Sequence, residues 1–390
     1  MKRVILKAGE EKRILAGHPW VFDNEVDRIL ENPAGSSKRK SGLPEKTASL
    51  EPGELADVES SRREYLGRAF VNPNSKILAR IYSPSKEGVD RGFFKRRIRE
   101  ALSRRIAYSG AAYDLYTESA RLVFAEADFL PGLMVDRFVG WPLAELAGAC
   151  QERPLSRESA AKTLGPPGSW LALQFLTYGM DSRREEILAA LEEVLEEDAF
   201  LLDGKKPLGR PAGIVDRSPQ KIRELEGLPP AAALVRGTGP SGGIVIFENG
   251  SPFLVNLEEG QKTGYFLDQR DNRRLSARYT YAARYTPGAD PARAGTADSP
   301  GSVPPPPFRI LDLFAYTGGF SIHALRGLDA APGEAICVDA SGEALRGLRA
   351  NAALNGLENR IEVREADVFE YLRAAERRGE SWDMVILDPP

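Results

Sequence analysis

Cysteine and histidine are scarce in this 390-residue sequence, which contains two of each. Cys150 and Cys337 are too few for a disulfide framework or a cysteine-rich zinc module. His18 and His323 are likewise too few for a histidine-based metal site, so we expect no metal. A chain without disulfides is typical of a reducing compartment, and the expected location is therefore the cytoplasm.

Long apolar runs are also lacking, because no segment approaches the roughly 20 residues that span a membrane. The segment from Met1 to Glu10 becomes charged too early for a secretory signal. Hydrophobic residues make up 42% of the chain and charged residues 28%, as in ordinary globular proteins. The length predicts two or three domains. The lack of a long apolar run predicts no membrane partner, and the sequence leaves the oligomeric state open.

The net charge of −3 conceals an asymmetry along the chain. Residues 1–110 hold 23 Lys and Arg against 15 Asp and Glu, a difference of +8, whereas the remaining residues hold 30 against 41, a difference of −11. A basic first part suits a module that contacts a polyanion. Part of this charge surrounds a predicted helix, at Arg91, Lys95, Arg96, Arg97, Arg99, Arg104 and Arg105. We favour a solvated outer face for this helix over a dedicated RNA-binding face, because a charge run alone is weak support.

Short strands separated by Gly, Pro and Asn turns are predicted within residues 1–82, and a mixed region of strands and helices follows. An amphipathic helix is predicted from Ser182, with Glu185 completing a capping box. Asp268 is a predicted helix N-cap. Polar or proline-rich insertions are expected near residues 32–52, 151–169 and 286–307.

From Phe308 onward, strand and helix patterns alternate regularly. The four predicted strands are apolar on both faces, which indicates a doubly wound parallel sheet of the α/β class. In such a sheet, ligands bind outside the carboxyl ends of the strands. Each predicted strand has a carboxylate near this end: Asp312, Asp339, Asp367 and Asp388. Each acid alone also fits a helix cap or a turn, so the interpretation depends on their joint placement.

The turn after the first of these strands indicates the kind of ligand. Gly318 and Gly319 allow a ligand to approach the backbone at a helix N-terminus. Phe314 and Tyr316, however, stand where a dinucleotide-binding fingerprint has glycines, and no phosphate-binding loop motif occurs. A ligand with an adenosine group and no phosphates fits better, which indicates S-adenosylmethionine. Its ribose hydroxyls would suit Asp339, and its adenine amino group would suit the acid after the third strand.

A set of motifs occurs in order along nearly the whole chain. They are His18-Pro-Trp-Val-Phe, Leu130-Pro-Gly-Leu-Met-Val-Asp-Arg, Lys262-Thr-Gly-Tyr-Phe-Leu-Asp-Gln-Arg, Asp312-Leu-Phe-Ala-Tyr-Thr-Gly-Gly-Phe, Val338-Asp, Asn351 with Asn355-Gly, Asp367-Val-Phe and Leu387-Asp-Pro-Pro. On these motifs the sequence resembles the bacterial class I S-adenosylmethionine-dependent methyltransferases that form 5-methylcytosine in large-subunit (23S) ribosomal RNA. The joint occurrence of Lys-Thr-Gly-Tyr and Tyr-Thr-Gly-Gly is specific, whereas Asp-Pro-Pro alone is not.

The resemblance implies a small β-rich PUA RNA-binding domain at residues 1–82, a central α+β domain at residues 83–260 and a Rossmann-like methyltransferase domain at residues 261–390. It implies S-adenosylmethionine as cofactor and large-subunit ribosomal RNA as partner. The residues expected around the cofactor are Asp312, Phe314, Tyr316, Thr317, Gly318, Gly319, Asp339 and Asp367, with Tyr265, Asp268 and Arg270 closing the site from the preceding segment. Asp388 is expected to face the target base.

In this family a cysteine attacks C6 of cytosine, which makes C5 nucleophilic enough to take the methyl group; a base then removes the C5 proton and the cysteine leaves. That cysteine belongs to a motif after the fourth strand, and this chain stops at Pro390. Cys337 is expected to be buried in a strand, and Cys150 lies far from the site motifs. We therefore expect a methyltransferase domain that is truncated at its C-terminus, a chain inactive on cytosine and an unpaired edge on the fourth strand.

Two other functions remain open at this point. Asp-Pro-Pro also occurs in methyltransferases that act on base nitrogens, so an N-methyltransferase of ribosomal RNA guanine or adenine is one alternative. A non-catalytic RNA-binding protein with a decayed methyltransferase domain is the other.

Overall fold

The computed structural model describes residues 1–31, 46–109, 118–150, 153–197, 208–231, 234–240, 242–257, 264–285, 306–328 and 331–389. These residues form two compact units, and each is described by itself. The first unit draws its described residues from 1–138 and 169–239, and the second draws them from 139–168, 240–259 and 264–390. No helix in the described ranges is long and apolar enough to cross a membrane.

The first unit begins with seven strands and one short helix: β1 (Lys2–Leu6), α1 (Glu11–Leu15), β2 (Trp20–Val21), β3 (Val26–Glu31), β4 (Lys46–Thr47), β5 (Leu55–Glu59), β6 (Tyr65–Val71) and β7 (Ala79–Ser83). They form one sheet in the order β2-β7-β6-β5-β1-β3-β4, in which β1 and β5 are parallel and the other pairs are antiparallel. Apolar side chains such as Val4, Val58 and Val71 form its core. The strands predicted within residues 1–82 are confirmed, whereas α1, β3 and β4 were not predicted, and β4 lies within the insertion expected near residues 32–52.

The middle of the chain contains α2 (Arg91–Ser109), β8 (Ala120–Phe124), β9 (Leu133–Pro142), α3 (Leu143–Ala149), α4 (Arg157–Leu164), β10 (Gly168–Phe175), α5 (Tyr178–Asp181), α6 (Arg184–Glu196), β11 (Gly213–Asp216), α7 (Gln220–Glu226), β12 (Leu234–Gly237), β13 (Ile244–Glu248) and β14 (Ser251–Val255). In the first unit, Phe94, Ile98 and Leu102 on α2 are buried with Ile187 and Leu191 on α6. This apolar stripe at helical spacing is what the sequence predicts for α2. In the second unit, the end of β9 pairs with β13, and β13 forms a hairpin with β14.

The capping box predicted at Ser182 and Glu185 is wrong. The N-cap of α6 is Arg183, and this helix has no side-chain cap. The Ser182 hydroxyl instead donates to the carbonyl oxygen of Gly179 in the preceding short helix, at 3.3 Å. The Ser182 hydroxyl is therefore engaged in a local hydrogen bond to the backbone and does not cap α6.

The start of the helix after Asp268 is also later than predicted. Helix α8 (Arg270–Tyr285) follows a 3₁₀ turn (Leu267–Gln269) that contains Asp268, so this aspartate lies in the turn rather than at the N-cap. The polar insertion near residues 151–169 contains a helix, α4, which is capped by Ser156. Most of the insertions near 32–52 and 286–307 lies outside the described residues.

The second unit ends in a regular α/β arrangement: β15 (Phe308–Leu313), α9 (Gly319–Gly327), β16 (Gly333–Asp339), α10 (Gly342–Leu354), β17 (Ile361–Glu365), α11 (Val368–Arg377) and β18 (Met384–Leu387). The four strands are all parallel, in the order β17-β16-β15-β18. Leu311 and Leu313 pack with Val368 of α11 on one face of the sheet. On the other face, Thr280 of α8 lies 3.2 Å from the sulfur of Met384. Helices therefore cover both faces, which confirms the doubly wound α/β fold.

Two close approaches fix the helices around this sheet. A Cβ atom at Gly327 of α9 would lie 2.2 Å from the carbonyl oxygen of Ala277 in α8, so only glycine allows these helices to pack this closely. At the end of α10, the C-cap residue Asn355 donates to the carbonyl oxygen of Pro252 at 2.8 Å, which attaches the β13–β14 hairpin to the α/β part. Among the described residues β18 pairs with β15 alone.

Candidate cofactor site

The strand order reverses at β15, because its neighbours β16 and β18 continue the chain in opposite directions across the sheet. Helices leave the carboxyl ends of adjacent strands on opposite faces at such a point, and the resulting crevice is where ligands bind in open α/β sheets. Asp312 lies near the end of β15, Asp339 ends β16 and Asp388 follows β18. The structure therefore places three of the predicted acids together: Asp312 on β15 itself, and Asp339 and Asp388 at the ends of the two strands beside it.

Asp312 is the most buried of these acids, with 1% of its surface exposed. Its pKa is raised to about 7, mainly because burial disfavours the charged form; the negative charges of Asp388 and Asp339 add to the rise, and two hydrogen bonds from Ser321 oppose it. The backbone N–H of Ser321 donates to Asp312 Oδ2 at 3.2 Å, and the Ser321 hydroxyl donates to the same oxygen. Burial, aided by the two neighbouring acids, thus keeps a proton on Asp312 up to nearly neutral pH.

The turn after β15, residues 314–319, has an unusual backbone. Phe314 and Tyr316 have φ angles of +59° and +48°, in the left-handed region that non-glycine residues seldom adopt. Each such residue costs on the order of 1–3 kcal/mol and persists only where its surroundings enforce it. Here the backbone N–H of Ala315 donates to the carbonyl oxygen of Val338 at 3.1 Å, and the backbone N–H of Tyr316 donates to Asp339 Oδ2 at 2.9 Å.

Asp339 has a second backbone partner. Its Oδ1 accepts from the backbone N–H of Ser341, the N-cap residue of α10, at 2.8 Å. Each carboxylate oxygen still has acceptor capacity, since a carboxylate offers about four lone-pair directions. Asp339 therefore fixes the turns after β15 and β16 relative to each other and can still accept from hydroxyl groups of a ligand.

Protein packing also constrains the two glycines of the turn. A Cβ atom at Gly318, where φ is +79°, would lie 2.8 Å from Leu348 Cγ. One at Gly319 would lie 2.8 Å from Arg273 Cδ. Besides the predicted approach of a ligand, close packing against other side chains therefore also favours glycine at these two positions, which the sequence did not reveal.

Asn351, a buried residue of α10, holds Thr317. Its amide nitrogen donates to the carbonyl oxygen of Thr317 at 2.9 Å, and its amide oxygen accepts from the backbone N–H of Leu254 at 2.7 Å. One side chain thus connects the 314–319 turn to strand β14. The sequence motifs contained Asn351 but did not indicate this role.

Asp367 is exposed and caps α11, because its Oδ1 accepts from the backbone N–H of Glu370 at 2.9 Å. The next aromatic residue, Phe369, is 61% exposed, and its ring centroid lies 6.2 Å from that of Phe314. The edge of the crevice beside Asp367 thus carries two aromatic rings, one of them open to solvent. Such rings offer a flat apolar surface to a base.

The segment before α8 forms a buried cluster around a residue that the sequence analysis missed, Glu248. Glu248 is fully buried, and the hydroxyl of Tyr265 donates to its Oε1 at 3.1 Å. The guanidinium of Arg270 lies 3.9 Å from Glu248 Oε2, whereas Asp268 is exposed. Tyr265 and Arg270 are therefore directed toward Glu248. Lys262 and Thr263 lie outside the described residues.

Both cysteines are buried. Cys337 lies within β16, its sulfur is 3.0 Å from the Ser321 hydroxyl, and burial raises its pKa well above the usual value. Cys150 packs in an apolar cluster with Trp141 and Phe247. Because a nucleophilic cysteine needs an accessible thiolate, neither residue has the properties of one.

The basic residues of α2 form ion pairs within the first unit. Arg91 and Lys95 pair with Glu193, Lys95 and Arg99 with Glu197, Arg96 and Arg97 with Glu87, and Arg104 and Arg105 with Asp128. Acids of the same unit thus neutralise the charge run. This arrangement is expected for an ordinary solvated helix face, whereas a dedicated RNA-binding face would need cations that are available to phosphates.

The fold and the crevice define a class of protein, an α/β domain of the methyltransferase fold in a chain that begins with a PUA-like domain. Two solved structures share this architecture over the whole chain. A proposed SAM-dependent methyltransferase from Streptococcus mutans matches with a TM-score of 0.66 and 18% identity, over 100% of this chain and 77% of that one. A second proposed methyltransferase, complexed with SAH, matches with a TM-score of 0.65 and 19% identity, over 100% and 76%.

Comparisons of sequence identify the family. A family model described as a PUA-like domain matches residues 4–84, and one described as conserved hypothetical protein 95 matches residues 303–390. The ribosomal RNA large subunit methyltransferase I of Erwinia tasmaniensis is 33% identical over 390 residues, which cover 100% of this chain and 76% of the relative. That of Salmonella arizonae is 32% identical, covering 100% and 74%. The chain therefore belongs to the ribosomal RNA large subunit methyltransferase I family, and it spans about three quarters of the length of these relatives.

The raised pKa of Asp312 predicts a pH-dependent stability. Its carboxyl group keeps a proton in the folded state up to about pH 7, whereas in the unfolded chain it loses the proton near 3.8. Stability from this group is therefore complete below the unfolded pKa and lost as the pH rises to 7, by on the order of 4 kcal/mol. Asp312→Asn removes this titration, so its free energy of unfolding should fall less between about pH 4 and 8 in urea titrations.

Glu358→Gln is the control for that measurement, because Glu358 is exposed in the turn before β17, at the opposite edge of the sheet. It should leave the pH dependence of the wild type unchanged. An Asp312→Asn variant with the pH dependence of the wild type would show that Asp312 is ionised throughout this range.

Proposed function

We propose that this chain binds S-adenosylmethionine in the crevice beside β15 and acts in the methylation of large-subunit ribosomal RNA. The observation that carries the proposal is the placement of Asp312, Asp339 and Asp388 around the left-handed 314–319 turn. Membership of the methyltransferase I family supports both the reaction and the RNA substrate class.

The chemistry of the crevice fits this cofactor better than a phosphate-bearing nucleotide. Asp339 and Asp388 place negative charge beside Asp312, and this charge opposes a pyrophosphate but favours a cation. S-adenosylmethionine has a sulfonium centre and an amino group, and it supplies an electrophilic methyl group when bound. We assign the ribose hydroxyls to Asp339, which has acceptor capacity left.

The remaining predicted residues are proposals with different physical support. Asp367 would accept from the adenine amino group, because only its Oδ1 is used in the helix cap. Phe314 would contact the adenine ring from the apolar side of the same edge. Asp268, which is exposed, would close the crevice, with Tyr265 and Arg270 supporting it from the buried cluster. Thr317, Gly318 and Gly319 would present backbone atoms to the cofactor, and Asp388 would face the target base.

For the RNA, we propose contact through the first part of the chain, with residues 1–82 as the RNA-binding domain, 83–260 as a central domain and 261–390 as the methyltransferase domain. Because the basic residues of α2 are already paired with carboxylates, other basic residues would contact the RNA phosphates. Lys12, Arg62 and Lys76 are exposed and have no carboxylate partner in the part of the chain that the structure describes. These three residues are our candidates for phosphate contacts.

Within the methylation reaction, we propose cytosine C5 as the target atom, on the basis of the motifs that resemble the 5-methylcytosine family. This chemistry requires a thiolate that attacks C6. Cys150 and Cys337 are the cysteines of this sequence, and both are buried. The 390 residues alone would therefore bind cofactor and RNA without methylating C5.

Cofactor binding can be tested with S-adenosylhomocysteine (SAH) in isothermal titration calorimetry. The wild type should bind, and Asp339→Ala should weaken binding by about 1.5–3 kcal/mol, because it removes a charged acceptor and frees the strained turn. Glu358→Gln, with a charge change at the opposite edge of the sheet, should bind like the wild type. Equal affinity for the wild type and Asp339→Ala would favour a decayed methyltransferase domain.

RNA binding should depend steeply on salt. Between 50 and 200 mM salt, the affinity for a large-subunit ribosomal RNA fragment should fall, and replacing Lys12, Arg62 and Lys76 together by Gln should reduce the slope of log K against log salt by about 2. The matched control is Arg96→Gln, because Arg96 is already paired with Glu87. A salt response that is flat, or equally steep in both variants, would contradict this assignment.

The target atom can be tested by product mapping. The purified 390-residue chain, incubated with S-adenosylmethionine and unmodified ribosomal RNA, should form no 5-methylcytosine, as measured by mass spectrometry of nucleosides. Cys337→Ala and Cys150→Ala should leave SAH binding unchanged, since neither thiol is accessible. Robust 5-methylcytosine formation would refute the requirement for a further cysteine, and methyl groups on a guanine or adenine nitrogen would favour the alternative reaction.

A further inference from the structure

We infer that the buried Glu248–Arg273 ion pair is a positioning element for the 314–319 turn, and that cofactor affinity depends on it. The inference rests on the proposed function, because it assigns the turn to cofactor binding. Neither residue belongs to the motifs that predicted the site, and both lie outside the four-stranded sheet, in β13 and α8. Their effect would therefore pass through other residues.

The ion pair is well formed and fully enclosed. Arg273 Nε lies 2.7 Å from Glu248 Oε1, and Arg273 Nη2 lies 3.0 Å from Glu248 Oε2, so two parallel hydrogen bonds join the groups. Burial alone would raise the pKa of Glu248, but the charge and hydrogen bonds of Arg273 lower it, so the carboxylate is ionised. Breaking a buried pair leaves an uncompensated charge, so this arrangement has few alternatives.

One path leads from the pair to Tyr316. Arg273 Nη2 also donates to the carbonyl oxygen of Phe266 at 2.6 Å. The ring of Phe266 meets the ring of Tyr316 edge to face, with 5.2 Å between centroids, and the Tyr316 hydroxyl donates to the carbonyl oxygen of Gly264 at 3.4 Å. The ion pair thus holds the segment against which the strained Tyr316 packs.

A second path leads to Gly319. The Arg273 side chain occupies the space where Gly319 would have a Cβ atom, with 2.8 Å to Arg273 Cδ. His323 lies 2.7 Å from the carbonyl oxygen of Gly319 through Nδ1 and 3.3 Å from that of Glu248 through Nε2, and it stacks on Phe253. The start of α9 is therefore fixed to the same cluster.

These two paths hold the middle of the turn at Tyr316 and its end at Gly319. A left-handed non-glycine residue relaxes when its surroundings loosen. Loss of the ion pair should therefore let the turn leave the conformation that presents its backbone to the cofactor. A purely structural ion pair would lower stability without changing the affinity of the folded protein, and this difference separates the two roles.

The test compares Glu248→Gln with Glu226→Gln. Glu226 is also a buried glutamate, and it pairs with Arg80 at 2.8 Å in the first unit. Both variants should unfold at lower urea concentration. At a temperature where circular dichroism shows every variant folded, Glu248→Gln should bind SAH about tenfold more weakly than the wild type, since a displaced binding group loses affinity steeply. Glu226→Gln should keep the affinity of the wild type.

A second variant covers the case in which Glu248→Gln does not fold. Arg273→Met together with Glu248→Leu replaces the pair by apolar side chains, a change that is often neutral or stabilising for a buried ion pair, and it still removes the donor to Phe266. This variant should also bind SAH about tenfold more weakly. Unchanged affinity in a folded variant of either kind would overturn the inference, whereas a wild type that fails to bind SAH would overturn the proposed function instead.

Hydrogen exchange of the wild type gives a readout that needs no variant. Addition of SAH should slow amide exchange at Phe266 and around Gly319, because the cluster and the turn would be stabilised together. Protection confined to the turn, with none at residues 264–266, would also contradict the inference.

Discussion

The carboxylate of Asp339 is the interaction on which the site depends. It accepts from the backbone of Tyr316 on one side and of Ser341 on the other, so it joins the turns that follow two neighbouring strands. Without it, the left-handed conformation of Tyr316 would lose the charge-assisted hydrogen bond that offsets its cost. The order of the parallel strands brings these groups together, because β15 and β16 end at the same edge. The shape of the crevice therefore follows from one acid and one strand order.

The α/β part was predictable because its signals are local. Each strand is a short apolar run and each helix a 3.6-residue pattern, so the alternation of four strands with helices after Phe308 was predicted as the structure shows it. Elements of weaker pattern were missed, such as α4, which begins in a stretch interpreted as an insertion. The capping box at Ser182 failed because its hydroxyl found a carbonyl in the preceding turn. Local hydrogen-bond competition of this kind depends on geometry that a sequence does not specify.

The candidate site divides in the same way. The acids at the strand ends could be proposed from sequence, because a parallel sheet dictates where its carboxyl ends lie. Glu248 could not, since it is the last residue of an apolar strand, directly before Asn-Gly, where an acid usually faces solvent. Its partner Arg273 lies 25 residues away, and pairing over such a distance is a property of the fold. The charge run on α2 is the opposite case: it is conspicuous in the sequence, but acids from three other segments neutralise it in the fold.

These contacts give the second unit an internal order of dependence. The Glu248 cluster fixes residues 264–266 and the start of α9, and these hold Tyr316 and Gly319. Asn351 holds Thr317 from α10, so each part of the turn is secured from a different element. A turn held from several sides can keep a strained backbone without help from a ligand, and a pre-formed site of this kind loses less conformational entropy on binding. For the proposed binding of S-adenosylmethionine, a crevice fixed in this way would need little rearrangement.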